Sequence, residues 1–243
     1  MQKIDVIILS NASSPMLKGI TENAVQSLIA SENPSDIQFD IVVIESNKKQ
    51  EEYAYPCTRT LFPRKKFGFH KYFNLGISKT DSQYICLANN DLVFHKSWAS
   101  EMLRAFDADP SLVSASPACS IHHPAHGVDL YSGIHEGFEV RKEVAGWCLF
   151  FKREMLDITG KLDEGFTFWY SDNDYINTIQ KHGLKHALVS SSIVDHLESQ
   201  TLKSKDEKEQ FKLTHNDRFY YEYKWGKRSL FSYLNIKRKL FFR

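Results

Sequence analysis

The chain has 243 residues, a length within the range of one α/β domain that can bury most of its apolar surface without disulfides or a metal. The net charge is +1, which argues against a protein built to bind nucleic acid or another polyanion. The four cysteines are scattered without CxxC spacing, which favours a reducing, cytosolic setting. The apolar runs are too short for a signal peptide or a spanning helix, so we expect a soluble or peripheral protein.

The first half of the chain alternates short β-branched runs with helical patterns. This alternation predicts a parallel sheet covered by helices on both faces. Ser97 precedes the third helix and is predicted to be its N-cap. The predicted strands are Ile4–Leu9, Phe39–Ile44, Tyr84–Ala88 and Leu112–Ser116, and the helices between them are Thr21–Ala30, His70–Lys79 and the one after Ser97.

The second half is less regular. Residues 121–139 have no clear period and predict a long loop or short antiparallel strands, whereas the apolar run Val144–Phe151 predicts a buried strand. Two helices, at 154–159 and 175–182, and a last strand, Lys185–Ser190, complete the predicted domain over residues 1–200.

The C-terminal segment, residues 201–243, has a different composition and is predicted to be a helical extension. Its last twenty residues, 224–243, carry seven basic side chains and no acidic one, interleaved with aromatic and aliphatic residues. Such a basic aromatic tail is typical of peripheral contact with an anionic membrane surface. The alternative is a helix that packs on the domain.

Polar residues follow three of the predicted strands. They are Ser10 and Asn11, Glu45, and the pair Asn90 and Asp91. Because ligands of open α/β sheets bind at the carboxyl ends of the strands, we expect these side chains to line a ligand site, with an acidic group for a ribose or base. Asp91 suits a divalent metal on a diphosphate. Helix capping is the alternative for each of them taken alone.

Two further polar sites lie near the end of the predicted domain. Asp172 and Asp174 open a helix beside Phe168, Trp169 and Tyr170, where nearby apolar rings can raise a carboxylate pKa to a value useful for a general base. The alternative is an acidic cluster favoured by the helix dipole. His196 follows the last strand, and a neutral imidazole is a common metal ligand.

The order of these segments resembles glycosyltransferase family 2 and its relatives of the GT-A fold. The resemblance covers roughly residues 3–200 and depends on five short motifs in the family's order. They are Gly68 with Asn74–Gly76, Asn89–Asp91, Gly146–Arg153 with Gly160–Glu164, Ser171–Asp174, and His196. Two positions depart from the family pattern, since Asn89 and Ser171 stand where the family often has an acidic residue.

The resemblance implies an inverting transfer of a sugar from a nucleoside-diphosphate sugar to a hydroxyl of a glycan or lipid-linked acceptor, as in cell-surface polysaccharide synthesis. It implies Mg²⁺ or Mn²⁺ at Asp91 and His196, and a catalytic base at Asp172 or Asp174. The donor-binding residues that it implies are Ser10, Asn11, Glu45, Asn74, Asn90 and Asp91.

Two other functions remain open from the sequence. One is an inactive sugar-nucleotide-binding module, which Asn89 and Ser171 favour. The other is a nucleotidyltransferase, although the loop after the first strand, Ser10–Pro15, lacks the glycines and basic residues usual in that class.

Overall fold

The computed structural model describes residues 1–197 and 207–241. The strands within those residues are β1 (Gln2–Ser10), β2 (Ile37–Glu45), β3 (Thr58–Leu61), β4 (Tyr84–Asn89), β5 (Leu92–Phe94), β6 (Leu112–Ala118), β7 (Ile134–Glu136), β8 (Cys148–Lys152) and β9 (Lys185–His196). The helices are α1 (Pro15–Ala30), α2 (Phe69–Ile77), α3 (Trp98–Ala108), α4 (His122–Ala125), α5 (Met155–Thr159), α6 (Ser171–Lys181), α7 (Glu207–Lys224) and α8 (Leu230–Phe241).

The strands form one mixed sheet in the order β3-β2-β1-β4-β8-β6-β9-β5, and β7 also pairs with β9. The strands β1 to β4 are parallel, and β6 is parallel to β9. Strand β8 lies between β4 and β6 and is antiparallel to both. The predicted α/β architecture with a mostly parallel, helix-covered sheet is therefore confirmed.

The sheet separates two apolar cores, because successive side chains of a strand point to opposite faces. Phe150 belongs to the core on the side of α1 and α3, where it packs edge-on against the buried Trp98. Its neighbour Phe151 belongs to the opposite core, with Tyr72 and Phe73 of α2. This arrangement explains why β8 reads as a continuous apolar run.

The N-terminus of α3 differs from the sequence prediction. Ser97 is the residue before the helix, but it lies in the left-handed region with φ 65° and its side chain makes no capping hydrogen bond. Instead Oε1 of Glu32 accepts the N–H groups of Ala99 and Ser100, at 2.8 and 3.0 Å. A carboxylate distant in sequence supplies the cap, which a local pattern cannot reveal.

Two segments of the second half also differ in detail. The strand predicted from Val144 begins only at Cys148, because residues 144–147 form a partly buried turn closed by the N–H of Cys148 on the carbonyl of Ala145. An apolar run reports burial and does not by itself distinguish a strand from a buried turn. The irregular residues 121–139 contain the short α4 and the short antiparallel strand β7.

The C-terminal segment forms the helices α7 and α8. The predicted boundary at residues 200 and 201 lies outside the described residues. No described helix is long and apolar enough to cross a lipid bilayer.

Candidate functional site

The ends of β1, β2 and β4 lie side by side at one edge of the sheet. The register pairs Ser10 with Glu45 and Leu9 with Asn89, so the polar residues after these strands are neighbours. The structure thereby brings together the residues that the sequence predicted at the three strand ends.

Ser10 and Asn90 are joined through a residue that the sequence analysis did not single out. The hydroxyl of Thr21 lies 3.1 Å from Oγ of Ser10 and accepts Nδ2 of Asn90 at 2.9 Å. Thr21 is fully buried and occupies the apolar face of α1 with Leu17 and Leu28. A polar residue in the middle of an apolar helical stripe was the available signal for this contact.

Glu45 is buried, and its carboxylate is already engaged within the protein. It accepts the N–H of Ala12 at 3.2 Å, the N–H of Asn47 at 2.6 Å and the hydroxyl of Tyr53 at 2.5 Å. Burial raises the pKa of Tyr53 above its usual range, and the bond to Glu45 raises it further. Glu45 therefore shapes the loop after β1, beside Asn11, whose Nδ2 donates to Oγ of Ser46 at 3.1 Å.

Asp91 and His196 approach each other because β5 pairs with the end of β9. The register places Leu92 opposite His196, and Nε2 of His196 lies 3.2 Å from Oδ1 of Asp91. The next carboxylate, Asp195, is held elsewhere by the N–H of Ser120 and the ring of His95, at 2.6 and 2.7 Å. Asp91 and His196 thus form a carboxylate–imidazole pair at the carboxyl edge of the sheet.

This pair fits a divalent cation that is shared with a substrate. Among residues 1–197 and 207–241, no cluster of three or more metal-ligating side chains occurs. Mg²⁺ is commonly held by one or two protein ligands plus substrate phosphates and water. Two candidate ligands at one edge of the sheet match that mode and do not match a closed structural site.

The dipeptide Gly146–Trp147 connects this pair to Asp172. The indole of Trp147 stacks on the imidazole of His196, with ring centroids 5.1 Å apart and an interplanar angle of 8°. Its carbonyl accepts the N–H of Asn89 at 2.9 Å. A side chain at position 146 would meet Cβ of Asp172 at 2.6 Å. One short turn therefore contacts both the imidazole and the carboxylate.

Asp172 lies in the first turn of α6, where the helix dipole favours a negative charge. Burial nevertheless raises the pKa of its carboxyl group above the usual aspartate value, while the N–H of Asn173 opposes the shift. The charge of Arg141 also lowers this pKa. A carboxylate with a raised pKa at a sheet edge can accept a proton from a bound hydroxyl.

Gly146 is required for this geometry. We expect Gly146→Ala to displace Asp172, because the new methyl group would lie 2.7 Å from Oδ2 of Asp172. Overpacking of this kind costs about 1–3 kcal/mol of stability. Differential scanning calorimetry would measure the loss, and Gly19→Ala in α1 is the matched control, since a Cβ there meets nothing within 4 Å. Equal melting temperatures for the two variants would contradict the close approach.

We call the polar residues at the ends of β1, β2 and β4 the polar edge. The side chains of Asp174 and Asn74 bind elsewhere in the protein. Asp174 is 2% exposed, and its carboxylate binds Nζ of Lys224 at 2.7 Å and Nε1 of Trp225 at 2.9 Å. Burial raises the pKa of Asp174, and Lys224 opposes that shift. The amide of Asn74 bonds to both the carbonyl and the N–H of Leu162, at 2.8 and 3.1 Å. Both side chains hold loops within the protein.

Sequence comparison identifies the family of this chain. The glycosyl transferase family 2 model matches residues 6–126, which include the second half of β1, all of β2 and β4, and Asp91. Asp172 and His196 lie beyond the matched residues. No curated protein sequence matches the chain significantly.

Solved structures share the fold. GalNAc-T7, crystallised with UDP, GalNAc and Mn²⁺, matches 94% of this chain and 52% of its own, with TM-score 0.65 and 14% identity. The mannosyltransferase PcManGT of Pyrobaculum calidifontis, solved with GDP-Man and Mn²⁺, matches 82% of this chain and 57% of its own, with TM-score 0.58 and 14% identity. TarS 1–349 of S. aureus matches 79% of this chain and 59% of its own, with TM-score 0.56 and 11% identity.

The chain thus spans between 52% and 59% of the length of these solved structures. Identities this low establish a common fold alone. The family model and the fold agree with each other. The chain therefore belongs to glycosyl transferase family 2 and carries its domain in the GT-A fold.

Proposed function

We propose that this protein is an inverting glycosyltransferase that moves a sugar from a nucleoside-diphosphate sugar to an acceptor hydroxyl. The observation that carries the proposal is the Gly146–Trp147 turn, which contacts Asp172 on one side and His196 on the other. A candidate base and a candidate metal pair thereby lie around one short segment at the carboxyl edge of the sheet. A single displacement needs both functions in one place.

The donor would bind along the ends of β1, β2 and β4. Ser10, Asn11 and Asn90 offer polar groups there, and Glu45 fixes the loop that follows β1. The solved relatives with UDP and with GDP-Man support a nucleotide-sugar donor.

Asp91 and His196 would hold Mg²⁺ or Mn²⁺ between the protein and the donor diphosphate. When bound, the cation neutralises negative charge on the departing nucleoside diphosphate. The stack with Trp147 fixes the plane of the His196 ring, so Nε2 keeps its orientation toward Asp91.

Asp172 would act as the general base. As the acceptor oxygen bonds to the anomeric carbon, the bond from that carbon to the diphosphate breaks, and the hydroxyl proton passes to the Asp172 carboxylate. One displacement at this carbon inverts its configuration. Asp174 is the less suitable base, because its oxygens already accept from Lys224 and Trp225.

A nucleotide panel tests the donor site directly. Thermal shift would be measured with UDP, GDP, CMP and dTDP, each with and without Mn²⁺, on the wild type and on Asp91→Ala. A Mn²⁺-dependent stabilisation by one nucleotide that the variant loses would support the proposal and identify the base. If every nucleotide left both proteins unchanged, an inactive module would become the better description.

The surface of α8 supports a membrane-bound glycan as the acceptor, because this helix presents apolar and basic side chains together. Leu230, Phe231 and Leu234 are exposed on its outer face, with Phe231 82% exposed. Tyr233 faces inward and stacks on Tyr223 of α7, with ring centroids 4.9 Å apart. An exposed apolar strip beside Lys237, Arg238 and Lys239 fits the surface of an anionic bilayer. This would place the enzyme on the cytoplasmic side of a membrane, in polysaccharide synthesis.

We expect the double variant Phe231→Ser, Leu234→Ser to lose binding to phosphatidylglycerol vesicles in a sedimentation assay. Each substitution removes an exposed apolar side chain and leaves the contacts between α7 and α8 through Tyr233 intact. Asn235→Ser, at an exposed polar position of α8, is the matched control. Deleting residues 224–243 would be less informative, since it also removes Lys224 and Trp225 from Asp174. Full vesicle binding by the double variant would contradict the membrane proposal.

A further inference from the structure

We propose that α7, through the carboxylate of Asp217, fixes the conformation of the loop that precedes the candidate base. Asp217 is thus assigned as a positioning residue. Through it, the C-terminal segment contributes to the surroundings of the candidate base Asp172. The catalytic consequence of this inference depends on the transferase function proposed above. The structural part depends only on the contacts between α7 and residues 163–174.

Asp217 binds three consecutive backbone N–H groups. Its Oδ2 accepts from Thr167 at 3.1 Å, from Phe168 at 2.7 Å and from Trp169 at 2.9 Å, and Oδ1 accepts from the Thr167 hydroxyl at 2.8 Å. Asp217 is 2% exposed. Three N–H groups that converge on one buried carboxylate make a strong, charge-assisted site, since each bond to a charged group is worth more than a neutral one.

The loop held by Asp217 ends in a strained residue. Tyr170, the residue before α6, has φ 60°, which is uncommon for a residue with a side chain. Such conformations persist where the surrounding structure over-determines them. Asp172 lies two residues further on, so the direction in which α6 begins depends on how this loop is held.

The other contacts of α7 lie on the same face of the helix. Tyr220 donates to Asp163 at 3.0 Å, and a Cβ at Gly165 would meet its ring at 2.4 Å. Tyr221 packs on the ring of Tyr170, with centroids 5.1 Å apart. Residues 217, 220, 221 and 224 recur at the i, i+3, i+4 and i+7 spacing of one helical face. This face therefore follows the loop from residue 163 to residue 174.

The two helices of the C-terminal segment, α7 and α8, thus contact different parts of the protein. The face of α7 contacts the loop before Asp172, whereas α8 packs against α7 and exposes its other face. If α8 binds a membrane, α7 lies between the membrane surface and the loop of residues 163–174.

The test compares Asp217→Ala and Asp217→Asn with Asn216→Ala, a change at the exposed neighbouring position of the same helix. Amide hydrogen exchange would be followed over residues 163–174. We expect the amides of residues 167–169 to exchange about 10- to 100-fold faster in Asp217→Ala, the scale set by losing a charged hydrogen bond. Asp217→Asn should fall between Asp217→Ala and the wild type, since its amide keeps one accepting oxygen. Asn216→Ala should match the wild type.

Turnover gives the second readout. Release of UDP from UDP-GalNAc and of GDP from GDP-mannose would be measured with Mn²⁺. For a donor that the wild type uses, we expect kcat of Asp217→Asn to fall about 10- to 100-fold, because a displacement of about 1 Å can cost that much. The KM for the donor should not change, since the strand-end residues are untouched. A general loss of folding would also alter the donor KM and the exchange of β4.

The outcomes separate the two proposals. Unchanged exchange at residues 167–169 in Asp217→Ala overturns the inference, and so does faster exchange with an unchanged kcat. Faster exchange confined to this loop, with a lower kcat and an unchanged donor KM, supports it. If the wild type turns over neither donor, the transferase proposal fails for these donors, and exchange alone decides whether Asp217 holds the loop.

Discussion

Asp172→Asn is expected to reduce sugar transfer by about 100- to 10,000-fold, the usual contribution of a general base. The amide keeps the size of the side chain beside Gly146 but cannot accept the acceptor proton at neutral pH. Binding of the nucleoside diphosphate should remain, because the strand-end residues and the Asp91–His196 pair do not include this carboxylate. Initial-rate kinetics and isothermal titration calorimetry would measure the two quantities.

The pH dependence of transfer gives an independent check. Burial raises the pKa of Asp172, so the group is protonated over part of the range where an ordinary aspartate is ionised. The protonated carboxyl group cannot act as a base. The wild-type rate should therefore fall as the pH drops through this raised pKa, at a higher pH than the ordinary aspartate value would predict. Asp172→Asn should lack this acid limb.

The thermal stability of Asp172→Asn distinguishes loss of the catalytic base from loss of folding. A carboxyl group with a raised native pKa favours folding at low pH, and that contribution is lost as the pH rises through the native pKa. At neutral pH the ionised Asp172 therefore destabilises the native state, and Asp172→Asn should unfold at the same temperature as the wild type or higher. Asp157→Asn on the exposed face of α5 is the matched control. Transfer that persists in Asp172→Asn would remove Asp172 as the base.

Asp91→Ala is expected to have the second large effect, on Mn²⁺-dependent binding of the nucleoside diphosphate. Asp91 is the carboxylate paired with His196 at 3.2 Å, and a divalent cation on a diphosphate contributes several kcal/mol of charge stabilisation. We expect affinity in the presence of Mn²⁺ to fall at least about 100-fold and to approach the affinity without it. Calorimetric titration of the nucleotide, with and without Mn²⁺, would measure both affinities.

A substitution of His196, the residue paired with Asp91, tests more strictly whether the two side chains hold one cation. If Asp91 and His196 hold one cation, His196→Ala should weaken the same binding, and the double variant should lose less than the sum of the single losses. Asp129→Ala is a control at an exposed carboxylate. Additive losses would assign the two side chains to separate functions, and an unchanged affinity in Asp91→Ala would remove it from a metal site.

Much of the polar edge could be predicted from the sequence, because parallel strands end at a common edge. The runs that form β1, β2 and β4 are apolar and β-branched, and each is followed by polar residues that cannot be buried without partners. Ser10, Glu45 and Asn90 meet there for this reason. Asp91 and His196 were predicted through the family resemblance, and the pairing of β5 with β9 is the physical cause of their proximity.

The roles of individual carboxylates needed the tertiary structure. Asp172 and Asp174 are two residues apart in one motif, and no local pattern distinguishes them. In the folded chain Asp172 lies against Gly146, whereas Asp174 is bound by Lys224 and Trp225. The difference arises from α7, which contacts α6 across about fifty residues of sequence.

Hydrophobic periodicity and composition are enough to predict the fold class, the position of the polar edge and the basic character of the tail. The hydrogen-bond partners, in contrast, become visible in the folded chain. Thr21 joins Ser10 to Asn90, Glu32 caps α3, and Asp217 binds the loop before α6. Each of these hydrogen bonds joins residues of different segments of the fold, and its formation depends on packing that no single segment encodes.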